Sequence, residues 1–237
     1  MKLEGKNSVR EIISSGKNIN KLFVLDGTTD SQIREWVAVA KKNHAKIEWV
    51  DKKTLDKLSV TGHHQGIIAE TVDFEYADLD EILNKEGDLL LVLLDGLQDP
   101  HNLGSVIRVA ECVGADAVVI PSRNSVVVNE TVIRVAAGAS AHMPVCKVGN
   151  LNTTIEKLKK KNVWVFGADM DGEPMYQTNL TGHVAIVIGA EGSGLSKLTR
   201  ELCDQIVSIP MKGKVNSLNA SVSAGILLYE ALRQRSK

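Results

Sequence analysis

One short segment limits the fold more than any other. Residues 89–95 read LLLVLLD, six apolar side chains in a row followed by an aspartate. A strand with one solvated face alternates apolar and polar residues, so an unbroken apolar run predicts a strand buried on both faces. Such strands belong to parallel sheets that helices cover on both sides. The run is far too short to cross a bilayer, so the segment predicts an α/β domain and no membrane span.

The chain after this strand alternates as such a domain requires. Further strands are predicted at residues 117–120, 163–167, 184–188 and 205–209. Helices are predicted near residues 103–113, 130–137, 151–160 and 221–234. Because ligands of parallel sheets bind beyond the carboxyl ends of the strands, the loops that follow the strands are where chemistry is expected.

The N-terminal part predicts a second, smaller α/β domain at residues 1–72. Its strands are predicted at residues 21–25, 47–50 and 67–70, and its helices at residues 4–13, 31–43 and 52–58. Residues 73–88 are acidic and weakly patterned, which indicates a linker with a helical turn or two near residues 79–83. The predicted organisation is thus a domain at 1–72, an acidic linker at 73–88 and a larger domain at 89–237.

The net charge of −1 conceals an uneven distribution. Residues 1–72 carry 12 basic and 9 acidic side chains, residues 73–99 carry 1 and 9, and residues 100–237 carry 15 and 11. Two mildly basic bodies therefore flank an acidic connector. Each body could offer a basic face to a polyanion or carry ordinary solvated charge, and charge alone leaves both readings open. If the partner is a polyanion, Lys6, Arg10, Lys17 and Lys21 are candidates for salt-dependent contacts with its phosphates.

Composition excludes several other classes of protein. The three cysteines, Cys112, Cys146 and Cys203, form no CxxC pair, which suits a reducing cytoplasm and argues against a structural metal site. No basic-then-apolar leader follows Met1, so we expect a cytoplasmic protein. Aromatic residues make up only 4% of the chain, which argues against RNA binding by base stacking on an aromatic sheet. No GxxxxGK[ST] segment supports a P-loop nucleotidase.

The first of three notable loops is DPHNLGSVIR at residues 99–108. Pro100 ends the preceding extended segment, and Asn102 is predicted to cap the helix that follows. Arg108 lies six residues after Asn102 and could direct its planar five-donor cation at a phosphate or carboxylate. A capped helix with one surface arginine is the plainer reading of this loop.

The second loop is IGAEGSGLS at residues 188–196, directly after a predicted buried strand. Three glycines within six residues allow the backbone to turn sharply and to lie against a ligand. The spacing is GxxGxG and differs from the dinucleotide motif GxGxxG. Glu191 could accept hydrogen bonds from loop amides or from a sugar, and a flexible turn is the alternative.

The third loop is IPMKGKVNSLNAS at residues 209–221, before a long apolar helix. Its Asn and Ser residues offer backbone and amide hydrogen-bonding groups next to a helix N-terminus. Ile209 and Leu218 would add apolar walls. Such a pocket suits a neutral purine with a small carboxylate, although an elaborate capping sequence would look the same.

Together the three loops resemble a known family. NxGxxxR, [IV]GxEGxGL and IPMxGxxxSLNxSxxxGIxLxE, in this order, resemble the three motifs of the SpoU/TrmH family of the SPOUT methyltransferases. The likeness covers residues 89–237, with no departure at the motif positions. The DPHNLG form and the N-terminal α/β unit look most like the branch that methylates a guanosine ribose in 23S rRNA. The N-terminal unit itself is similar to L30e-like RNA-binding domains.

The resemblance implies a cytoplasmic RNA 2′-O-methyltransferase that uses S-adenosylmethionine, with RNA and not DNA as its partner. It also implies a deep trefoil knot in the C-terminal domain and a homodimer through the knotted domain. The cofactor-binding residues that it implies are Gly189, Gly192, Ile209, Asn216, Ser217 and Leu218. The catalytic residues that it implies are Asn102, Arg108, Glu191 and Asn219, with Arg108 acting across the dimer interface. No metal is implied.

Two readings besides rRNA methylation stay open. A tRNA ribose methyltransferase would share the three motifs, although such enzymes usually lack this N-terminal unit. A non-catalytic RNA-binding or ribosome-assembly factor could share the fold. For an enzyme, the family proposals let Arg108 activate the ribose hydroxyl. Because a guanidinium stays protonated in proteins, we expect it instead to hold the neighbouring phosphate and to stabilise developing negative charge.

Overall fold

The computed structural model describes residues 2–15, 19–71, 74–214 and 217–236. Its strands are β1 (Lys2–Glu4), β2 (Ile19–Leu25), β3 (Lys46–Val50), β4 (Ile67–Thr71), β5 (Leu90–Asp95), β6 (Ala117–Pro121), β7 (Val145–Val148), β8 (Trp164–Pro174), β9 (Val184–Gly189) and β10 (Gln205–Ser208). Its α-helices are α1 (Lys6–Ser14), α2 (Ser31–Lys42), α3 (Lys52–Leu58), α4 (Leu79–Leu83), α5 (Pro100–Cys112), α6 (Glu130–Ala136), α7 (Leu151–Lys160), α8 (Lys197–Leu202) and α9 (Ala220–Arg235).

The chain divides into two compact units. The first comprises Met1–Glu75 with Val128–His142, and the second comprises Tyr76–Val127 with Met143–Lys237. The contacts thus group residues 128–142 with the N-terminal part, whereas the sequence-based division places them in the second domain. The predicted domain boundaries stay a prediction.

The first unit is built on a four-stranded sheet in the order β1-β4-β2-β3. Strand β4 runs antiparallel to both of its neighbours, and β2 runs parallel to β3. Helix α2 begins where the Asp30 carboxylate accepts hydrogen bonds from the amides of Gln32 and Ile33. Two details differ from prediction: Glu4 belongs to β1 and not to a helix, and the first helix begins at Lys6.

The second unit confirms the expected parallel sheet. Six strands in the order β10-β8-β9-β5-β6-β7 are all parallel. Strand β5 lies centrally, and Leu91 and Leu93 pack in a core with side chains of α4 and α7. Its other apolar residues are also buried, so helices cover both faces as the unbroken apolar run predicts. The predicted linker contributes to this core, because Leu79, Ile82 and Leu83 of α4 are buried in it.

The sequence-based prediction missed the edge strand β7 and underestimated the length of β8. Strand β8 pairs with β9 only as far as Gly167 and then continues to Pro174. Its register with β10 jumps from Gly167 to Glu173 between Ile206 and Val207. Five residues, 168–172, therefore have no register partner in β10; we call them the β8 excursion. No helix among the described residues is long and apolar enough to span a membrane.

Candidate active site

The loop after β9 closes on itself through its backbone. The amide of Ala190 donates to the carbonyl of Gly194 at 3.1 Å, and the amide of Gly194 donates back to Ala190 at 2.9 Å. Gly192 and Gly194 have φ values of +80° and +64°, a region that side chains disfavour. Gly189 serves a different purpose, since a Cβ there would lie 2.2 Å from the carbonyl carbon of Gly194. The glycines therefore allow both the turn and a backbone-to-backbone contact.

A single carboxylate joins the three loops. Oε1 of Glu191 accepts a hydrogen bond from Nδ2 of Asn102 at 2.9 Å and another from Nδ2 of Asn219 at 2.5 Å. Asn102 is buried in the first turn of α5, and Asn219 is the N-cap of α9. Three segments that are distant in sequence therefore converge on one oxygen atom.

The orientation of the Asn219 side chain follows from its capping role. Its Oδ1 accepts from the amides of Ser221 at 2.9 Å and Val222 at 3.3 Å, which satisfies the free donors at the start of α9. Its Nδ2 is thereby directed at Glu191. The Asn- and Ser-rich segment therefore caps the long helix, and the same Asn219 side chain also binds Glu191.

The predicted capping role of Asn102 is wrong. Helix α5 starts three residues earlier than predicted, where the Asp99 carboxylate accepts from the amide of His101 at 3.0 Å and Pro100 occupies the first helical turn. Proline suits that position because the first helical amides lack intrahelical partners. With the cap supplied by Asp99, the Asn102 side chain is available for Glu191.

A cavity of about 360 Å³ lies beside this junction. Its walls are formed by the β8 residues that follow Gly167, by the ends of β9 and β10 with the loops after them, and by the start of α9. The residues are Ala168, Asp169, Met170, Ile188, Gly189, Ala190, Glu191, Gly192, Ser193, Gly194, Val207, Ile209, Met211, Ser217, Leu218, Ala220 and Ser223. It therefore lies at the carboxyl ends of the strands, where a parallel sheet is expected to bind ligands.

Most of the predicted cofactor residues share this cavity. Gly189, Gly192, Ile209, Ser217 and Leu218 all line it. The sixth, Asn216, lies outside the described residues. Glu191 lines the cavity as well, and Asn102 and Asn219 reach it through their hydrogen bonds to Glu191.

Arg108 lies apart from the cavity walls. It is exposed on α5, about one and two-thirds turns beyond Asn102. No residue that the structure describes forms an ion pair or a hydrogen bond with its guanidinium group. This placement leaves Arg108 available to a ligand outside the cavity, such as a phosphate.

Near the cavity lies a cluster of charged side chains that no local sequence pattern indicates. Nη1 of Arg200 donates to Oδ2 of Asp169 at 2.5 Å, and its Nη2 lies 2.8 and 2.9 Å from the two oxygens of Asp171. The hydrogen bond from Arg200 lowers the pKa of Asp171 below its ordinary value, and that bond also raises the pKa of Arg200. Both shifts favour the charged forms of Asp171 and Arg200. Arg200 is 31 residues from Asp169 and 29 residues from Asp171 in sequence, which is why local patterns miss the cluster.

A larger cavity, of about 450 Å³, lies in the first unit and is lined by Lys2, Glu4 and Arg134 among others. None of the predicted site residues reaches it. Among the described residues, no group of three or more His, Cys, Asp or Glu side chains could hold a metal ion. The cavity beside Glu191 is therefore the candidate site, because it combines the convergent loops with both polar and apolar walls.

Fold and cavity define an α/β protein that binds a small ligand at the carboxyl ends of parallel strands. Residues 89–229 match the family model described as SpoU rRNA Methylase family, and residues 2–77 match the one described as RNA 2'-O ribose methyltransferase substrate binding. The chain is 42% identical over 238 residues to YacO of Bacillus subtilis (strain 168), which is named as a TrmH family tRNA/rRNA methyltransferase. That match covers 98% of this chain and 95% of YacO.

Solved structures agree with the sequence relatives. The SpoU methyltransferase AviRb from Streptomyces viridochromogenes, crystallised in complex with AdoMet, superposes with a TM-score of 0.86 at 26% identity, over 99% of this chain and 89% of AviRb. A structure described as an RNA 2'-O ribose methyltransferase superposes with a TM-score of 0.82 at 28% identity, over 100% and 89% of the two chains. The chain belongs to the SpoU/TrmH family of RNA methyltransferases. Its cofactor is S-adenosylmethionine.

The cavity suits this cofactor chemically. Ile188, Val207, Ile209 and Leu218 supply aliphatic walls for a flat base, and the glycine-rich turn brings backbone groups to the cavity surface. The volume falls within the range of small-molecule sites. The expected fold class and cofactor are thereby confirmed, whereas the trefoil knot stays a prediction.

Proposed function

We propose that the protein methylates the 2′-oxygen of a guanosine ribose in 23S rRNA. The observation that carries this proposal is the convergence of three loops on Oε1 of Glu191, beside a cavity suited to S-adenosylmethionine. An RNA substrate is supported by the match of residues 2–77 to the substrate-binding family model of RNA 2'-O ribose methyltransferases. The guanosine and the 23S target rest on the likeness of the DPHNLG loop and of the domain order to that branch of the family.

The cofactor site in this proposal consists of Gly189, Gly192, Ile209, Ser217 and Leu218, with Asn216. Gly189 permits the close backbone approach that shapes one end of the cavity. Ile209 and Leu218 enclose the base from opposite segments of the chain. Bound there, the cofactor supplies a methyl group made electrophilic by its sulfonium.

Glu191 in this proposal orients the ribose hydroxyl. Asn102 and Asn219 both donate to Oε1, which fixes the carboxylate plane. Among the described residues none donates to Oε2, so that oxygen can accept the hydrogen bond of an incoming hydroxyl. Alignment of this kind is the main contribution an enzyme makes when two reactants must meet in line.

Arg108 in this proposal binds the phosphate next to the target ribose and stabilises the negative charge that develops on the oxygen. Because Arg108 does not line the cavity of its own chain, it fits a role at the active site of a partner subunit. We propose a homodimer formed through the C-terminal unit. Val222 and Tyr229 of α9 support it, because both are about half exposed and lie seven residues apart on one helix face.

The direct test is a map of ribose methylations in rRNA and tRNA from cells with and without the gene. We expect one guanosine in 23S rRNA to lose its 2′-O-methyl group and the purified protein to restore it with labelled S-adenosylmethionine. Loss of a tRNA methylation instead would assign the chain to the tRNA enzymes. No change in any RNA, with no transfer in vitro, would favour a non-catalytic role.

A further inference from the structure

The cofactor cavity has one wall that the three motifs do not provide. Ala168, Asp169 and Met170 of the β8 excursion line it, in addition to the glycine-rich turn. The excursion leaves the β8–β10 ladder after Gly167 and rejoins it at Glu173. Ladder hydrogen bonds to β10 therefore cannot hold these five residues, and something else must fix their position.

Contacts at the C-terminal end and in the middle of the excursion limit where it can go. At its end, a Cβ on Gly172 would come within 2.6 Å of the backbone of Ile206, and Oγ of Ser208 donates to the Gly172 carbonyl at 2.8 Å. Asp169 lies in the middle, where its Oδ1 accepts from the amide of Met170 at 2.7 Å. Of the residues that the structure describes, only Arg200 joins the middle of the segment to another element through its side chain, by binding both Asp169 and Asp171.

We propose that Arg200 is a positioning residue for the cofactor site. Its guanidinium ties Asp169 and Asp171 to α8 and so fixes the wall formed by residues 168–170. The planar fork suits this task because it meets two carboxylates at once, one of them through both oxygens. Without Arg200, two neighbouring carboxylates would repel each other, and the wall would move into or away from the cavity.

The inference rests on the assignment of the cavity to S-adenosylmethionine made above. It does not depend on which RNA is methylated. Its test is therefore the binding of the cofactor to the intact protein, measured by calorimetry. Amide hydrogen exchange of residues 168–172 in the protein without cofactor gives a second readout that needs no ligand.

For Arg200→Ala we expect the Kd for S-adenosylmethionine to rise about tenfold, while kcat at saturating cofactor changes less than about threefold. Amides at 168–172 should exchange faster. Arg200→Lys should bind the cofactor with a Kd about threefold above that of the unchanged protein, since one ammonium cannot meet both carboxylates. Lys197→Ala removes another cation and an exposed ion pair from the same helix, and should change neither readout.

An unchanged Kd and unchanged exchange in Arg200→Ala would overturn the proposal, as would a loss of kcat with the Kd unaffected. Leu218→Ala separates this failure from that of the cavity assignment. If Leu218→Ala weakens binding and Arg200→Ala does not, only the positioning role is refuted. If neither variant weakens binding, the cofactor lies elsewhere and both claims are refuted.

Discussion

The two units differ in what hydrogen bonds and ion pairs within the chain do to the side chains predicted to be functional. In the second unit, Asn102, Glu191 and Asn219 come from three loops and meet at one atom. In the first unit, the side chains predicted to hold RNA are paired with neighbours instead. Lys6 forms an ion pair with Asp30, Arg10 with Glu11 and Lys21 with Glu48. Lys17, the fourth candidate, lies outside the described residues.

This difference shows what sequence motifs encode. The loops of the second unit contain residues that the backbone geometry itself requires, such as Gly189 at its contact with Gly194. The basic residues of the first unit follow no such constraint, and tertiary structure decides which of them find a carboxylate. Lysines 52 and 53 at the start of α3 are exposed and form no ion pair with any described residue. They are better candidates for phosphate contacts than Lys6 or Lys21.

The largest effect is expected from Gly189→Ala. The added Cβ would lie 2.2 Å from the Gly194 carbonyl carbon and 2.4 Å from its oxygen, so the loop must move. A misplacement of about 1 Å can cost about 100-fold in rate, so we expect methyl transfer to fall by about that factor and cofactor binding to weaken in calorimetry. Gly149→Ala is the matched control, because nothing lies within 4 Å of the added atom. Equal affinities for the two variants would contradict the loop's role.

Arg108→Lys should affect turnover and spare the cofactor. A lysine keeps the charge but loses the fork that holds a phosphate, and loss of one transition-state donor costs roughly 100-fold in kcat. The affinity for S-adenosylmethionine should stay within about twofold, since Arg108 does not line the cavity. Arg123→Lys, another exposed arginine, serves as control. Normal turnover of Arg108→Lys would refute its assignment as a catalytic residue.

Tyr229→Glu tests the proposed dimer. A carboxylate in a buried apolar contact is costly, so the variant should run as a monomer in light scattering and lose activity by about tenfold or more. Restoration of activity by mixing it with an inactive Arg108 variant would indicate sites shared between subunits. A fully active monomer would contradict both the dimer and the role of Arg108 across it.

The smallest effects concern the first unit. Replacing Lys52 and Lys53 together by Gln should weaken RNA binding uniformly and lower the slope of log K against log salt by about 2, one per lost phosphate contact. Lys6→Gln and Lys21→Gln should leave the slope unchanged, because both lysines are already paired. If Lys6→Gln or Lys21→Gln lowered the salt slope more than the Lys52 and Lys53 double variant does, the paired lysines and not the unpaired ones would contact the phosphates.

Local patterns predicted most of the second unit because each element satisfies its own rule. The apolar run of β5 required burial on both faces, and the glycines after β9 required a turn. Strands β1 and β7 were missed, because three or four residues are too few to show an alternating pattern. Their pairing partners, Ala69 for Leu3 and Val119 for Cys146, are distant in the chain.

The site shows the same limit. Each motif predicts its own turn or cap, yet none predicts that Asn102 gives up capping to bind Glu191, since Asp99 was an equally good cap. No sequence motif indicates the Arg200 cluster, because Arg200 lies on α8 and its two carboxylate partners lie on β8, 29 and 31 residues earlier. The resemblance to a family predicted that the loops converge, whereas local patterns predicted the glycine turns and the helix caps.

The most direct test of the central claim is a crystal structure with S-adenosylmethionine bound. We predict density for the cofactor between the glycine-rich turn and Leu218, with the base against Ile209 and the methyl group directed toward Glu191. Density at any other site, with the cavity beside Glu191 filled only by solvent, would contradict the account.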